Sequence, residues 1–77
     1  MHARAMEQLA AGDWDGAHET IQAGEDTLAC LIHGHLHRIE GDLANARYWY
    51  RRAGEELPDH TIEEESDRLA GMAVAAD

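Results

Sequence analysis

The chain has 77 residues, with 16 acidic side chains, six arginines, no lysine and a formal net charge of −10. This length allows one small domain, and the charge argues against nucleic acid as the main partner, since such binding neutralises phosphates with basic side chains. The single cysteine, Cys30, excludes an internal disulfide, and no stretch approaches the roughly 20 apolar residues of a membrane span. We therefore expect a cytoplasmic protein that binds neither nucleic acid nor membrane.

Two short helices are predicted in the first third of the chain. The first covers about residues 2–11 and ends at Gly12-Asp13, because glycine suits a helix C-terminus and aspartate suits the N-cap of the next helix. The second covers about residues 14–23, and Gly24 ends it. Its apolar face consists of Trp14, Ala17 and Ile21.

The middle of the chain carries the clearest helical patterns. A third helix, capped by Asp26 or Thr27, has apolar residues at helical spacing: Leu28, Leu31, Ile32, Leu36 and Ile39. Gly41-Asp42 then repeats the earlier break. A fourth helix is predicted from Leu43 to Leu57, where Pro58 stops it. Tyr50 lies on its apolar stripe, so we expect this side chain in the core.

A fifth helix is predicted after Thr61, because Thr61 and Glu64 have the spacing of a capping box. Its apolar residues Ile62, Leu69 and Met72 are expected on one face, and the acidic run 63–65 is expected in solvent. No segment alternates apolar and polar residues as a strand does. The sequence therefore predicts an all-α fold of about five helices.

The Gly-Asp break at residues 12–13 and its recurrence at 41–42 indicate two related helical hairpins. The second hairpin resembles the tetratricopeptide repeat (TPR) at six positions: Gly34, Gly41-Asp42, Ala46, Tyr50, Ala53 and Pro58. The resemblance implies that Gly34 lies where two helices cross closely. It also implies one TPR-like domain, with a short first repeat (1–25), a full repeat (26–59) and a capping helix (60–77).

The TPR resemblance implies a scaffold that binds a protein or peptide along the first helices of its repeats. Leu31, His35 and Arg38 would then be exposed on the binding face, and Trp49 with Asn45 would form a second face for another chain. The acidic charge favours a cationic or amphipathic partner. Self-association into a homodimer is also expected, because helical arrays usually need about three repeats to be stable.

His33 and His37 lie one helical turn apart, whereas His35 points to roughly the opposite side. The two replace the leucine and tyrosine that the TPR motif has before its turn. The leading interpretation is therefore that both imidazoles pack inside the domain and form hydrogen bonds with neighbouring groups.

The alternative interpretation is a ligand or metal site on the face of His33 and His37, with Glu40 and Asn45 nearby. Two imidazoles at this spacing can share a metal, although zinc needs one or two further ligands. The conceivable further ligands are Glu40, His18 and His60.

The sequence contains none of the common catalytic or nucleotide-binding motifs, and adjacent glutamates on a helix do not converge for acid–base chemistry. We therefore predict no catalytic residue, no resident metal and no cofactor. The predicted function is a small TPR-type scaffold for protein–protein contact. The alternative is a small-ligand or metal-binding protein, or an enzyme, that uses the His33/His37 face.

Overall fold

A computed structural model describes all 77 residues and contains five α-helices. They are α1 (His2–Ala10), α2 (Trp14–Ile21), α3 (Thr27–Glu40), α4 (Leu43–Arg52) and α5 (Ile62–Ala76). The prediction of an all-α fold with about five helices is confirmed. None of the five has the length and apolar character that crossing a membrane would require.

The predicted helix starts and breaks follow from local side-chain chemistry. Asp13, Asp26 and Asp42 cap α2, α3 and α4, each accepting a hydrogen bond from a backbone amide three residues later. Thr61 and Glu64 form both hydrogen bonds of the capping box at the start of α5. Gly41 ends α3 with φ of 90°, a left-handed conformation that glycine adopts without a steric penalty.

The prediction that the fourth helix continues to Leu57 is wrong. The helix α4 ends at Arg52, and the chain turns through Gly54 at φ of 84°. The amide of Glu55 then bonds back to the carbonyl of Tyr50, which closes the helix end before Pro58 is reached. The second helix also ends earlier than expected, at Ile21 rather than Ala23.

The helix α3 lies at the centre of the domain and packs against each of the other four helices. Its residues 28–37 are all buried, and among them the burial of Cys30 was predicted from the sequence. It crosses α4 closely at Gly34, where an added Cβ would lie 2.6 Å from the ring of Tyr50. Tyr50 is fully buried, and both expectations for this crossing are confirmed.

The last helix folds back over the domain rather than extending a row of hairpins. It packs against α1 and α3, whereas α4 packs along α3 alone and reaches α5 only through long side chains such as Tyr50. The side of α3 that carries Leu31 and His35 is therefore covered by other helices. This arrangement leaves α4 at the edge of the domain with its outer face uncovered.

The orientation of α5 differs from its prediction in part. Leu69 is buried as expected, but Ile62 and Met72 are exposed. Glu65, expected in solvent with its acidic neighbours, is fully buried instead. The helix is rotated so that this carboxylate meets hydrogen-bond donors on α4 and on the preceding loop, which compensates for its removal from water.

Candidate functional site

Three histidines from two helices converge at the junction of α2 and α3. His18 comes from α2, and His33 and His37 come from successive turns of α3. One ring nitrogen of each residue lies within 4.8 Å of the other two. His33 and His37 are buried and His18 is half-buried, so the cluster lies just below the surface.

Aromatic rings hold the three imidazoles in place. Trp14 stacks on His18 with ring centroids 5.0 Å apart, and Trp49 of α4 stacks on His33 at 3.9 Å. His33 and His37 stack on each other at 5.0 Å, and His18 meets both edge to face. The indole nitrogen of Trp14 donates to the carbonyl of Leu36 at 2.8 Å, which fixes this ring over the cluster.

The hydrogen bonds of His37 define which of its nitrogens can bind a ligand. Its Nδ1 lies 2.6 Å from a carboxylate oxygen of Glu40, and its Nε2 lies 3.4 Å from the side-chain amide of Asn45. Because an ionised carboxylate only accepts hydrogen bonds, the proton of a neutral imidazole belongs on Nδ1. Nε2 then carries the lone pair, and the amide of Asn45 is close enough to donate a weak hydrogen bond to it.

His33 is the most distinctive member of the cluster. Its Nδ1 is buried and has no hydrogen-bond partner. Burial, together with the neighbouring His18 and His37, lowers the pKa of His33 to about 4, so its imidazole is neutral near pH 7. The ring of His33 is therefore uncharged near pH 7 and has one buried nitrogen without a hydrogen-bond partner.

The structure brings the predicted ligand residues His33, His37, Glu40 and Asn45 together, with Trp49 beside them. Of the two histidines named as conceivable further ligands, His18 lies beside His33 and His37, whereas His60 bonds to Glu65. Trp14 was predicted on the apolar face of α2 but not beside the histidines. A signal was present, since Trp14 and His18 are one helical turn apart and so share a face of α2.

The predicted partner-binding residues on α3 do not form an open face. Leu31 and His35 are both 0% exposed, which contradicts their expected exposure. His35 bonds to the hydroxyl of Ser66 at 2.7 Å, and Arg38 donates to the carbonyl of His60. The reason is the packing of α5, which occupies the side of α3 where a peptide was expected.

A second polar cluster surrounds Glu65 and was not predicted. Its carboxylate accepts hydrogen bonds from Tyr50 and Arg68 and lies 2.6 Å from the imidazole of His60. Burial opposes ionisation, but the hydrogen bonds from Arg68, Tyr50 and His60 outweigh it and hold the pKa of Glu65 at about 2. Three side chains bind this one carboxylate, so we assign the cluster to attaching α5 rather than to binding.

Comparisons with protein-family models, with curated proteins and with solved structures found no match to the chain.

Proposed function

We propose that the protein binds a divalent transition-metal ion of the zinc class through His18, His33 and His37. The single observation that carries this proposal is the convergence of their three ring nitrogens within 4.8 Å. Imidazole is a common ligand for zinc, copper and nickel, whereas calcium and magnesium prefer oxygen ligands. A cluster of three nitrogens therefore favours a transition metal.

The spacing of the three ring nitrogens fits a metal site that contracts slightly when the ion binds. Zinc–nitrogen bonds of 2.0–2.1 Å in a tetrahedron hold two nitrogens about 3.3 Å apart. The imidazoles therefore need to approach one another by at most about 1.5 Å. His18 is half-buried on a helix of only eight residues, so modest rotation of its side chain and helix supplies this movement.

The groups around the cluster support metal binding. In protein metal sites a ligand histidine usually donates its second N–H to a carboxylate, which fixes the tautomer and strengthens the ligand. Glu40 occupies this position at 2.6 Å from Nδ1 of His37. The imidazole of His33 is neutral near pH 7, because its pKa lies at about 4, so one of its ring nitrogens has a lone pair without a proton to displace.

Two rival interpretations remain distinct from this proposal. In the first, the imidazoles only pack inside the domain as part of an aromatic cluster. This is the interpretation of His33 and His37 that the sequence favoured. In the second, the metal binds to His37, Glu40 and Asp42, whose ligand atoms also lie within 4.8 Å of one another. That set is mostly exposed, and the Asp42 carboxylate already caps α4 through the amide of Asn45.

Calorimetric titration of tag-free protein with Zn²⁺, repeated with Ni²⁺, tests the proposal. We expect one equivalent to bind to wild type and binding to be lost in His18→Ala and His37→Ala. His60→Ala is the matched control, since it removes an imidazole outside the cluster. Circular dichroism checks that each variant is helical.

The outcomes of this titration separate the interpretations. Wild-type protein that produces no binding heat would leave only the structural cluster. Binding that survives His18→Ala but disappears in Asp42→Asn would assign the metal to the second set. Asp42→Asn is suitable because asparagine also serves as an N-cap.

A second candidate function is protein–protein contact through the outer face of α4, in keeping with the TPR-type scaffold. This face is uncovered, and a groove of about 580 Å³ runs along it, lined by Ala44, Arg47, Tyr48, Arg51 and Arg52. Tyr48 is 56% exposed. Since this face is basic, it fits an acidic partner better than the cationic partner first expected, and a second acidic copy of this chain is one such partner.

Sedimentation over a concentration series at low and high salt tests contact between copies. We expect association that weakens with salt and is lost in Arg47→Glu/Arg51→Glu. The variant Arg4→Glu is the control, because Arg4 is exposed on α1, away from the groove. A wild-type protein that stays monomeric at every concentration would remove the homodimer.

A further inference from the structure

We infer that the metal centre keeps one coordination position for a small exogenous anion of the carboxylate class, oriented by Asn45. This inference rests on the proposed binding of a metal by His18, His33 and His37. It goes further by assigning the centre a ligand and a positioning residue.

The number of protein ligands supports an open position. No fourth histidine, cysteine or carboxylate completes the cluster of His18, His33 and His37. Glu40 is held at Nδ1 of His37, on the other edge of that ring from Nε2, and the sulfur of Cys30 faces the carbonyl of Glu25 at 3.8 Å. Zinc sites with three protein ligands keep water or another ligand in the fourth position.

The charge at the centre favours an anion in that position. Three neutral imidazoles leave the full charge of a divalent ion uncompensated among its ligands, unlike a site built from thiolates or carboxylates. The guanidinium of Arg52 adds positive charge nearby, since it lies 5.1 Å from the ring centroid of Trp49, which itself stacks on His33. The carboxylates of Glu40 and Asp42 lie beyond His37 and offset this charge only in part.

Asn45 lies where it can orient such a ligand. Its side-chain nitrogen is 3.4 Å from Nε2 of His37, the atom whose lone pair a metal would take. A metal ion about 2.0–2.1 Å from Nε2 would displace this amide from the lone pair. The side chain of Asn45 would then turn aside, and its N–H could donate to an oxygen atom bound beside the metal. The indole rings of Trp14 and Trp49 flank the imidazoles and limit the space, so the ligand must be small.

Cobalt substitution tests the inference, because the visible absorption of Co²⁺ responds to its coordination sphere. Tag-free protein is loaded with Co²⁺ and titrated with acetate, with acetamide as the neutral control. We expect a saturable spectral change with acetate and none with acetamide. In Asn45→Ala, acetate affinity should fall roughly tenfold while the affinity for Co²⁺ itself stays nearly constant, the effect of one hydrogen bond to a charged ligand.

A second variant tests the same position directly. Asn45→Asp places a carboxylate where the exogenous anion is expected, so it should tighten Co²⁺ binding and abolish the response to acetate. A loaded wild-type protein whose spectrum ignores acetate would overturn the open position while leaving the metal proposal intact. A protein that takes up no Co²⁺, Zn²⁺ or Ni²⁺ would overturn the metal proposal and this inference together.

Discussion

The hydroxyl of Tyr50 in α4 donates a hydrogen bond to the carboxylate of Glu65 in α5, and both side chains are fully buried. Arg68 binds the same carboxylate at 2.8 Å and continues to Glu55 at 3.0 Å. Glu65 is the one acidic residue that the fold buries. Its hydrogen bond with Tyr50 connects α4, at the edge of the domain, to α5, which closes the domain.

Replacing Glu65 should destabilise the domain strongly. In Glu65→Gln the donors of Tyr50, His60 and Arg68 lose their shared negative acceptor, and we expect a loss of roughly 2 to 4 kcal/mol in the free energy of unfolding. Urea denaturation measures it. Glu63→Gln is the matched control, because Glu63 is exposed and should change stability by less than about 0.5 kcal/mol. Equal stabilities of the two variants would contradict the role given to this carboxylate.

A pair of glycine substitutions should have opposite effects. Gly34→Ala puts a Cβ 2.6 Å from the Tyr50 ring and 3.1 Å from the carbonyl oxygen of Ala46, so we expect a loss of about 1 to 3 kcal/mol. Gly71→Ala meets nothing within 4 Å on α5 and should stabilise by up to about 1 kcal/mol. Thermal unfolding of both variants is the measurement, and a stable Gly34→Ala would refute the close crossing.

Metal binding should raise the thermal stability of the protein. A ligand present at one hundred times its dissociation constant adds about 2.7 kcal/mol, which corresponds to roughly 10 to 20 °C in the Tm of a domain this small. We expect this shift with Zn²⁺ in wild type and its loss in His18→Ala, measured by calorimetry with and without a chelator. A similar shift in both proteins would indicate binding elsewhere.

The metal-free protein should lose stability as the pH falls below 6.5. Burial lowers the pKa of His33 and of His35 from 6.5 to about 4, so the unfolded state binds more protons between these values. Between pH 4 and 6.5, each histidine therefore lowers the free energy of unfolding by up to about 1.4 kcal/mol for each pH unit of acidification. Glu65, with a pKa of about 2 against 4.5, extends the loss to lower pH.

Chemical denaturation at a series of pH values in the presence of a chelator measures this acid sensitivity. In His33→Leu one titrating ring is absent. The free energy of unfolding should therefore depend less steeply on pH between 6.5 and 4, by the contribution of one histidine. An unchanged slope would show that His33 is not the buried neutral group that we describe.

The amino-acid sequence by itself determined the local structure. Aspartate caps, the capping box and Gly41 act within a few residues of the chain, so they fixed most helix starts and the break between α3 and α4 without further information. The periodic apolar residues of α3 identified a helix that is buried over most of its length. The same spacing placed His33 and His37 on one face and made a shared ligand conceivable.

Only the tertiary structure decided which helix covers which face. The segment between α4 and α5 could have directed the last helix along α4, but α5 packs on α1 and α3 instead and buries Leu31, His35 and Glu65. The docking of α2 on α3 placed His18 beside His33 and His37. Helical periodicity defines a face within one helix, whereas contacts between distant helices depend on how all the faces pack together.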